Sequence, residues 1–143
     1  MTPVRLANPL TIPSSHLEDW GPVEESDGER VGRVRGREHV SVLGGAFRVG
    51  VWECSPSRWR RRVMEPEFAH FVAGRARFIP DRSEAFDINS GDAVWFPANT
   101  TGVWEIAETL RKTYVIVAPG GTMRMIYMLF QRVSNRLAKP ERS

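Results

Sequence analysis

A chain of 143 residues is long enough for one hydrophobic core and short for two. With 41% hydrophobic and 26% charged residues it has the composition of an ordinary globular domain, which argues against disorder and against a membrane span. The formal charge of +3 suggests an anionic partner until it is apportioned: from Thr122 onward five basic residues face one acidic residue, so the remainder carries a net −1 and the domain is no nucleic-acid binder by charge.

Residues 1–45 read as an N-terminal arm and entry strand. Pro13-Ser-Ser, Trp20-Gly-Pro and Glu24-Glu-Ser-Asp-Gly-Glu are loop-like, and no period is sustained up to about residue 35. Leu17 and Trp20 are the arm's expected anchors, because a tryptophan in such a segment finds a groove on its own domain or on a partner subunit. The opening residues, broken by Pro3 and Pro9, lack the apolar run of a signal peptide. The single Cys54 has no partner for an internal disulfide. Together these lead us to expect a cytoplasmic protein, with Cys54 packed in a strand rather than acting as a nucleophile.

Residues 46–118 carry the strands. Phe47-Arg-Val-Gly-Val-Trp-Glu-Cys alternates as a strand with one buried face does, entered at Gly44-Gly45 and left at Ser55-Pro56. Arg58–Val63, Glu67–Phe78, Ala85–Ile88 and Val94–Phe96 follow, separated by turn residues such as Pro80-Asp-Arg-Ser and Ser90-Gly-Asp. A loop is expected over Pro97–Gly102, then strands at Val103–Ile106 and Thr113–Val117. Short strands at close spacing with no helical pattern between them predict an all-β antiparallel sandwich or barrel.

In residues 119–143 the period lengthens. Met123, Ile126, Tyr127, Phe130, Val133 and Leu137 recur at three- and four-residue intervals opposite Arg124, Arg132 and Arg136, which predicts a basic amphipathic helix. Its apolar stripe is expected to lie on the barrel or a subunit interface; contact with an anionic membrane surface is the alternative.

Several runs are similar to cupins. Gly91-Asp, followed by Pro97, resembles the opening of that family's second motif, and Glu67, followed by Gly74, resembles the end of its first. Gly50-Val-Trp-Glu-Cys-Ser-Pro-Ser-Arg-Trp, Glu67-Phe-Ala-His-Phe-Val-Ala-Gly74, Val103-Trp-Glu and Arg111-Lys-Thr-Tyr-Val-Ile resemble small single-domain cupins related to ureidoglycine aminohydrolase. The resemblance implies an RmlC-like jelly-roll barrel, commonly dimeric, here with an N-terminal arm and a C-terminal helix. It also implies a metal held by three histidines and a glutamate. Of those four positions only Glu67 keeps its ligand: the first-motif histidine positions fall on Arg61 and Val63 or on Arg60 and Arg62, and the second-motif histidine falls on Gly102, with Asn99 in place of a glycine. One carboxylate does not hold a transition metal tightly, so no metal cofactor is expected. His70 lies three residues from Glu67 on a strand, which turns it to the other face, and it reads as a core or interface histidine.

What the barrel would hold instead follows from Arg61, which shares Glu67's inward register if the turn between them preserves alternation. It can pair with Glu67 when the barrel is empty and clamp a carboxylate or phosphate when it is occupied; alternatively Arg58, Arg60, Arg61 and Arg62 form a solvated edge strand. Trp59, Trp95, Trp104 and Tyr114 are aromatic wall candidates, with plain core packing as the alternative. Arg111 or Lys112 is expected to pair with Glu105 or Glu108. Three functions compete: a cupin binding a small anionic or aromatic metabolite, an aminohydrolase-like enzyme with Glu67 as its general acid or base, and a dimeric interaction module.

Overall fold

The computed structural model describes residues 4, 6–118, 129–130, 132–134 and 136–137. Eight antiparallel strands build it: β1 (Glu18–Pro22), β2 (Arg33–Val42), β3 (Phe47–Cys54), β4 (Ser57–Val63), β5 (Glu67–Pro80), β6 (Phe86–Asn89), β7 (Ala93–Phe96) and β8 (Thr100–Val117).

Two long strands, β5 and β8, run the length of the molecule side by side, from Glu67 opposite Ile116 to Pro80 opposite Gly102. At one end they are flanked by β3, β2 and β1 on the β8 side and by β7 on the β5 side. At the other end β4 takes the place next to β8, and β6 the place next to β5. The register of β5 against β8 shifts between Phe71 and Ala76, where the two strands bend from one half-sheet into the other. Gly74 sits at this bend with φ +91°, and a Cβ there would stand 2.2 Å from the Thr109 carbonyl oxygen, so the first-motif glycine is required by the backbone. The two half-sheets close into a jelly-roll barrel.

Alternation decides what faces inward. On β5, Glu67, Ala69 and Phe71 are buried while Phe68 and His70 are exposed; on β4, Trp59 and Val63 are buried while Arg58, Arg60 and Arg62 are exposed. Trp52, Phe71, Phe78, Phe96 and Trp104 form a connected stack of rings at the centre of the core, with Trp104 packed against all four others.

The segment read as an arm contributes two strands of the sheet. Its alternation was hidden because β1 and β2 lie toward the sheet's edge and carry charged residues such as Arg33, Arg35 and Arg37. Leu17 and Val23 are buried, and the Trp20 ring lies over Gly36. The arm is tied down on the barrel's outside by a buried pair: Arg111 donates to Glu53 Oε2 at 2.6 and 2.9 Å and to the carbonyls of Pro9 and Ile12 at 2.9 and 2.5 Å. The two strands expected at 103–106 and 113–117 are one continuous β8, and the loop before it is shorter than expected, with Asn99 at φ 64° and Thr100 already in the strand. The predicted helix falls partly outside the described residues; within them Leu129, Phe130, Val133 and Leu137 are helical and exposed. No described helix is long and apolar enough to cross a membrane.

Candidate functional site

Three charged side chains from three strands meet inside the barrel. Glu67 opens β5, Arg61 lies on β4 and Lys112 on β8, each at an inward position. Lys112 Nζ donates to Glu67 Oε2 at 2.6 Å, and Arg61 Nη2 donates to Glu67 Oε1 at 3.2 Å. The Lys112 and Glu67 side chains are 1% and 3% exposed, whereas Arg61 keeps 18%. The group is therefore layered, with the lysine and carboxylate sealed inside and the guanidinium at the opening.

Aromatic rings line the cluster. Lys112 Nζ lies 4.5 Å from the centroid of the Trp52 ring, 5.7 Å from Phe96 and 6.0 Å from Phe71, and the Arg61 guanidinium carbon lies 5.9 Å from Trp52. These distances fall in the range where a cation is attracted to the ring face. Tyr114, two positions along β8 from Lys112, is buried next to Gly50, and burial pushes its hydroxyl up to about 12.

The electrostatics follow from this enclosure. Burial opposes the charge on Glu67, but Lys112 and Arg61 outweigh it and hold the carboxyl below its ordinary value. Burial pushes the Lys112 ammonium down to about 8, with Glu67 resisting the shift and Arg61 adding to it. Burial also pushes the Cys54 thiol up to about 11, which leaves it protonated and unreactive at neutral pH.

Two concavities adjoin the barrel. One of about 230 Å³ lies where the arm crosses β4 and is lined by Trp20, Val34, Trp52, Trp59 and Arg61. This is the opening through which Arg61 is reached. A larger cleft of about 820 Å³ lies on the other side of β4, between Arg62, Met64, Phe86 and the Trp95–Thr101 segment.

The EutQ-like cupin domain model matches residues 41–114, just over half of the chain. The chain belongs to the EutQ-like cupin family. No curated protein matches it. Among solved structures, this cupin is similar to a Pseudomonas syringae pv. tomato protein of unknown function, at 19% identity and TM-score 0.63, over 71% of this chain and 44% of that one. It is similar to the EutQ protein of Clostridium difficile at 13% identity and TM-score 0.52, over 80% of each chain. A putative ethanolamine utilization protein Q from Salmonella typhimurium matches at 15% identity and TM-score 0.52, over 59% of this chain and 69% of that one. The cupin thus spans less than half the length of the Pseudomonas relative, and at these identities the likeness speaks to the fold.

The donor set around Glu67 does not fit a cupin metal. Both carboxylate oxygens are taken by cations, and a divalent ion would have to displace them without gaining a second anionic or imidazole donor. Among the described residues no group of three or more His, Cys, Asp or Glu side chains converges. At Gly102, where the second-motif histidine would stand, a Cβ would lie 2.6 Å from the Ile79 carbonyl oxygen, so the backbone leaves no room for a side chain.

Of the residues singled out from the sequence, the structure brings together Glu67, Arg61 and, through Trp52, the deeper Trp104. Tyr114 lies on the same inner face of β8. Trp95 does not join them: it pairs with Phe68 in register, points out of the barrel and is 55% exposed on the rim of the larger cleft. His70 is likewise exposed on the outer face and is no core residue. The expected pairing of Arg111 or Lys112 with Glu105 or Glu108 is replaced by Arg111 with Glu53 and Lys112 with Glu67, while Glu105 and Glu108 approach Arg58 and Arg75 at the surface. Lys112 is the site residue that sequence reasoning missed. Its inward direction was available from counting along β8, where Leu110, Lys112 and Tyr114 share one face.

Proposed function

We propose that this cupin is a metal-independent binder of a small ligand carrying a carboxylate, held at Arg61 in the barrel opening. One observation carries the reading: a single carboxylate inside the barrel faces two cations. With Lys112 protonated the cluster holds a net positive charge in a largely dry site, and an uncompensated buried charge is costly. Lys112 alone neutralises Glu67, which leaves the outermost cation, Arg61, to take an incoming anion. A guanidinium meets a carboxylate through two parallel hydrogen bonds, so the fit is geometric as well as electrostatic. Trp52 and Trp59 at the opening supply flat apolar walls that suit the body of such a ligand.

An aminohydrolase of the ureidoglycine kind would need a metal that this donor set does not fit, and Glu67, locked between two cations, is a weak base. The anion-binding reading uses the residues as they stand. It is tested by titrating acetate and benzoate into the protein while following tryptophan fluorescence, since Trp52 and Trp59 border the opening. Saturable binding by the native protein and by Arg77→Ala, a surface arginine outside the opening, with at least tenfold weaker binding by Arg61→Ala, is expected. Equal affinity in the two variants would overturn it.

A further inference from the structure

Alternation along β4 turns Arg58, Arg60 and Arg62 outward, and the first two have counter-ions. Arg58 pairs with Asp27 and, at 3.8 Å, with Glu105, while Arg60 donates to both oxygens of Asp81 at 2.9 Å. The Thr101 hydroxyl also donates to Asp81 Oδ2, at 2.6 Å, so this carboxylate is satisfied without Arg82, its neighbour in the turn after β5. Among the described residues the guanidinium groups of Arg62 and Arg82 make no ion pair or hydrogen bond, and neither does that of Arg132 in the tail helix.

These three arginines come from three separate elements and line one concavity, the cleft of about 820 Å³ beside β4. Its apolar wall includes Met64, Phe86, Val94 and Trp95, whose side chain is 55% exposed although a ring of that size is usually covered. We propose that this cleft is a second binding site, for a small phosphate ester that carries a flat ring. Arg62 and Arg82 hold the phosphate, Arg132 faces it from the helix, and the ring lies on Trp95.

Charge selects the head group. Asp81 is the one carboxylate on the lining and Arg60 already neutralises it, so three cations face the cleft without an anion. A single carboxylate would answer one of them. A phosphate monoester carries about −1.5 to −2 at neutral pH and three acceptor oxygens, enough to meet two guanidinium forks at once. Size selects the body: small-molecule sites run to about 300–1,000 Å³, so the cleft has room for a ring beyond the phosphate. A second copy of the chain meeting this face through Phe68 and Trp95 would bring the same cationic patch and no counter-charge. The site does not depend on the anion-binding reading of Arg61. Arg62 borders both concavities, but Arg82, Arg132 and Trp95 border this cleft alone, which lets the two sites be told apart.

The probes are phenyl phosphate, inorganic phosphate and phenol, each titrated into the full chain by calorimetry. Phenyl phosphate is expected to bind once per chain, at least tenfold more tightly than either of the other two. Arg82→Ala and Arg62→Ala should each weaken it at least fivefold, and Trp95→Ala should weaken phenyl phosphate while leaving inorganic phosphate unchanged. Arg77→Ala and Arg61→Ala should bind it as the native protein does. All three substituted side chains of the cleft are exposed, so their variants should fold. Binding lost in Arg61→Ala but kept in Arg82→Ala would put the phosphate in the barrel opening and overturn the cleft site. Equal affinity for inorganic phosphate and phenyl phosphate would overturn the role of Trp95. Affinity that falls as protein concentration rises would show that a second copy fills the cleft, and no binding of any probe would remove the site while leaving the carboxylate reading of Arg61 untouched.

Discussion

Replacing Lys112 by methionine keeps the length and shape of the side chain and removes its charge. Glu67, 3% exposed, would then keep Arg61 at 3.2 Å as its cationic partner and lose the shorter 2.6 Å bond. Removing one partner of a buried ion pair costs about 3–5 kcal/mol, because the remaining charge stays desolvated. Arg61→Ala removes a partly exposed hydrogen bond to a charged group that Lys112 still neutralises, and should cost about 1.5–3 kcal/mol. Arg60 pairs with Asp81 at 2.9 Å at the surface, and Arg60→Ala should cost about 0–1 kcal/mol. The double variant Lys112→Met with Glu67→Leu replaces the buried pair by apolar groups of similar volume. It should recover most of the loss, ending within about 2 kcal/mol of the native protein. Urea unfolding followed by tryptophan fluorescence gives all four values. A cost below about 1 kcal/mol for Lys112→Met, or a double variant no more stable than Lys112→Met alone, would refute the view that the two charges support one another inside the barrel.

Other outcomes follow from the same geometry. Lys112 titrates near 8 in the folded chain against 10.5 ordinarily, so above pH 8 the unfolded chain binds more protons and stability should rise with pH by roughly 1 kcal/mol between pH 8 and 9. Above pH 9 the raised thiol of Cys54, which stays protonated when folded, works in the opposite direction and should flatten the rise; Lys112→Met should lack the rise altogether. Cys54, fully buried, should react with a thiol reagent at neutral pH only at the rate of unfolding, and a fast reaction would contradict its placement. Phe68 and Trp95 form an exposed cross-strand pair, and Met64 is exposed at the end of β4. Sedimentation at micromolar concentration is therefore expected to give twice the 16.2 kDa chain mass, and a monomer would show that this face is simply solvated.

The barrel was legible where strands have one wet and one dry face. Glu67–Phe71 alternates cleanly, and Ser90-Gly-Asp marks the turn between β6 and β7; Phe47–Cys54, expected to have one buried face, is buried on both from Gly50 to Cys54, with β2 on one side and β8 on the other. It was illegible where that contrast fails. Residues 107–109 of β8 are exposed as the strand passes from one half-sheet to the other, so a continuous strand reads as two. The charged residues of β2 obscure its alternation for the same reason. The proximity of Arg61 to Glu67 could be reasoned from a shared register and six residues of separation. Lys112 could not be reasoned so directly, because its pairing with Glu67 depends on how β8 lies against β5, forty-five residues away in sequence. Trp95 shows the converse: an aromatic beside the second-motif proline does border a cleft, but alternation with Val94 and Phe96 turns it to the larger outer cleft rather than toward Glu67.

Calorimetric titration of a monocarboxylate into protein treated with a chelator and shown to be free of divalent metal tests metal-independent anion binding most directly. The cluster of Arg61, Glu67 and Lys112 predicts binding of one carboxylate per chain with unchanged affinity after chelation, lost in Arg61→Ala. Binding that vanishes on chelation and returns with a divalent metal would show that a metal, not Arg61, holds the anion.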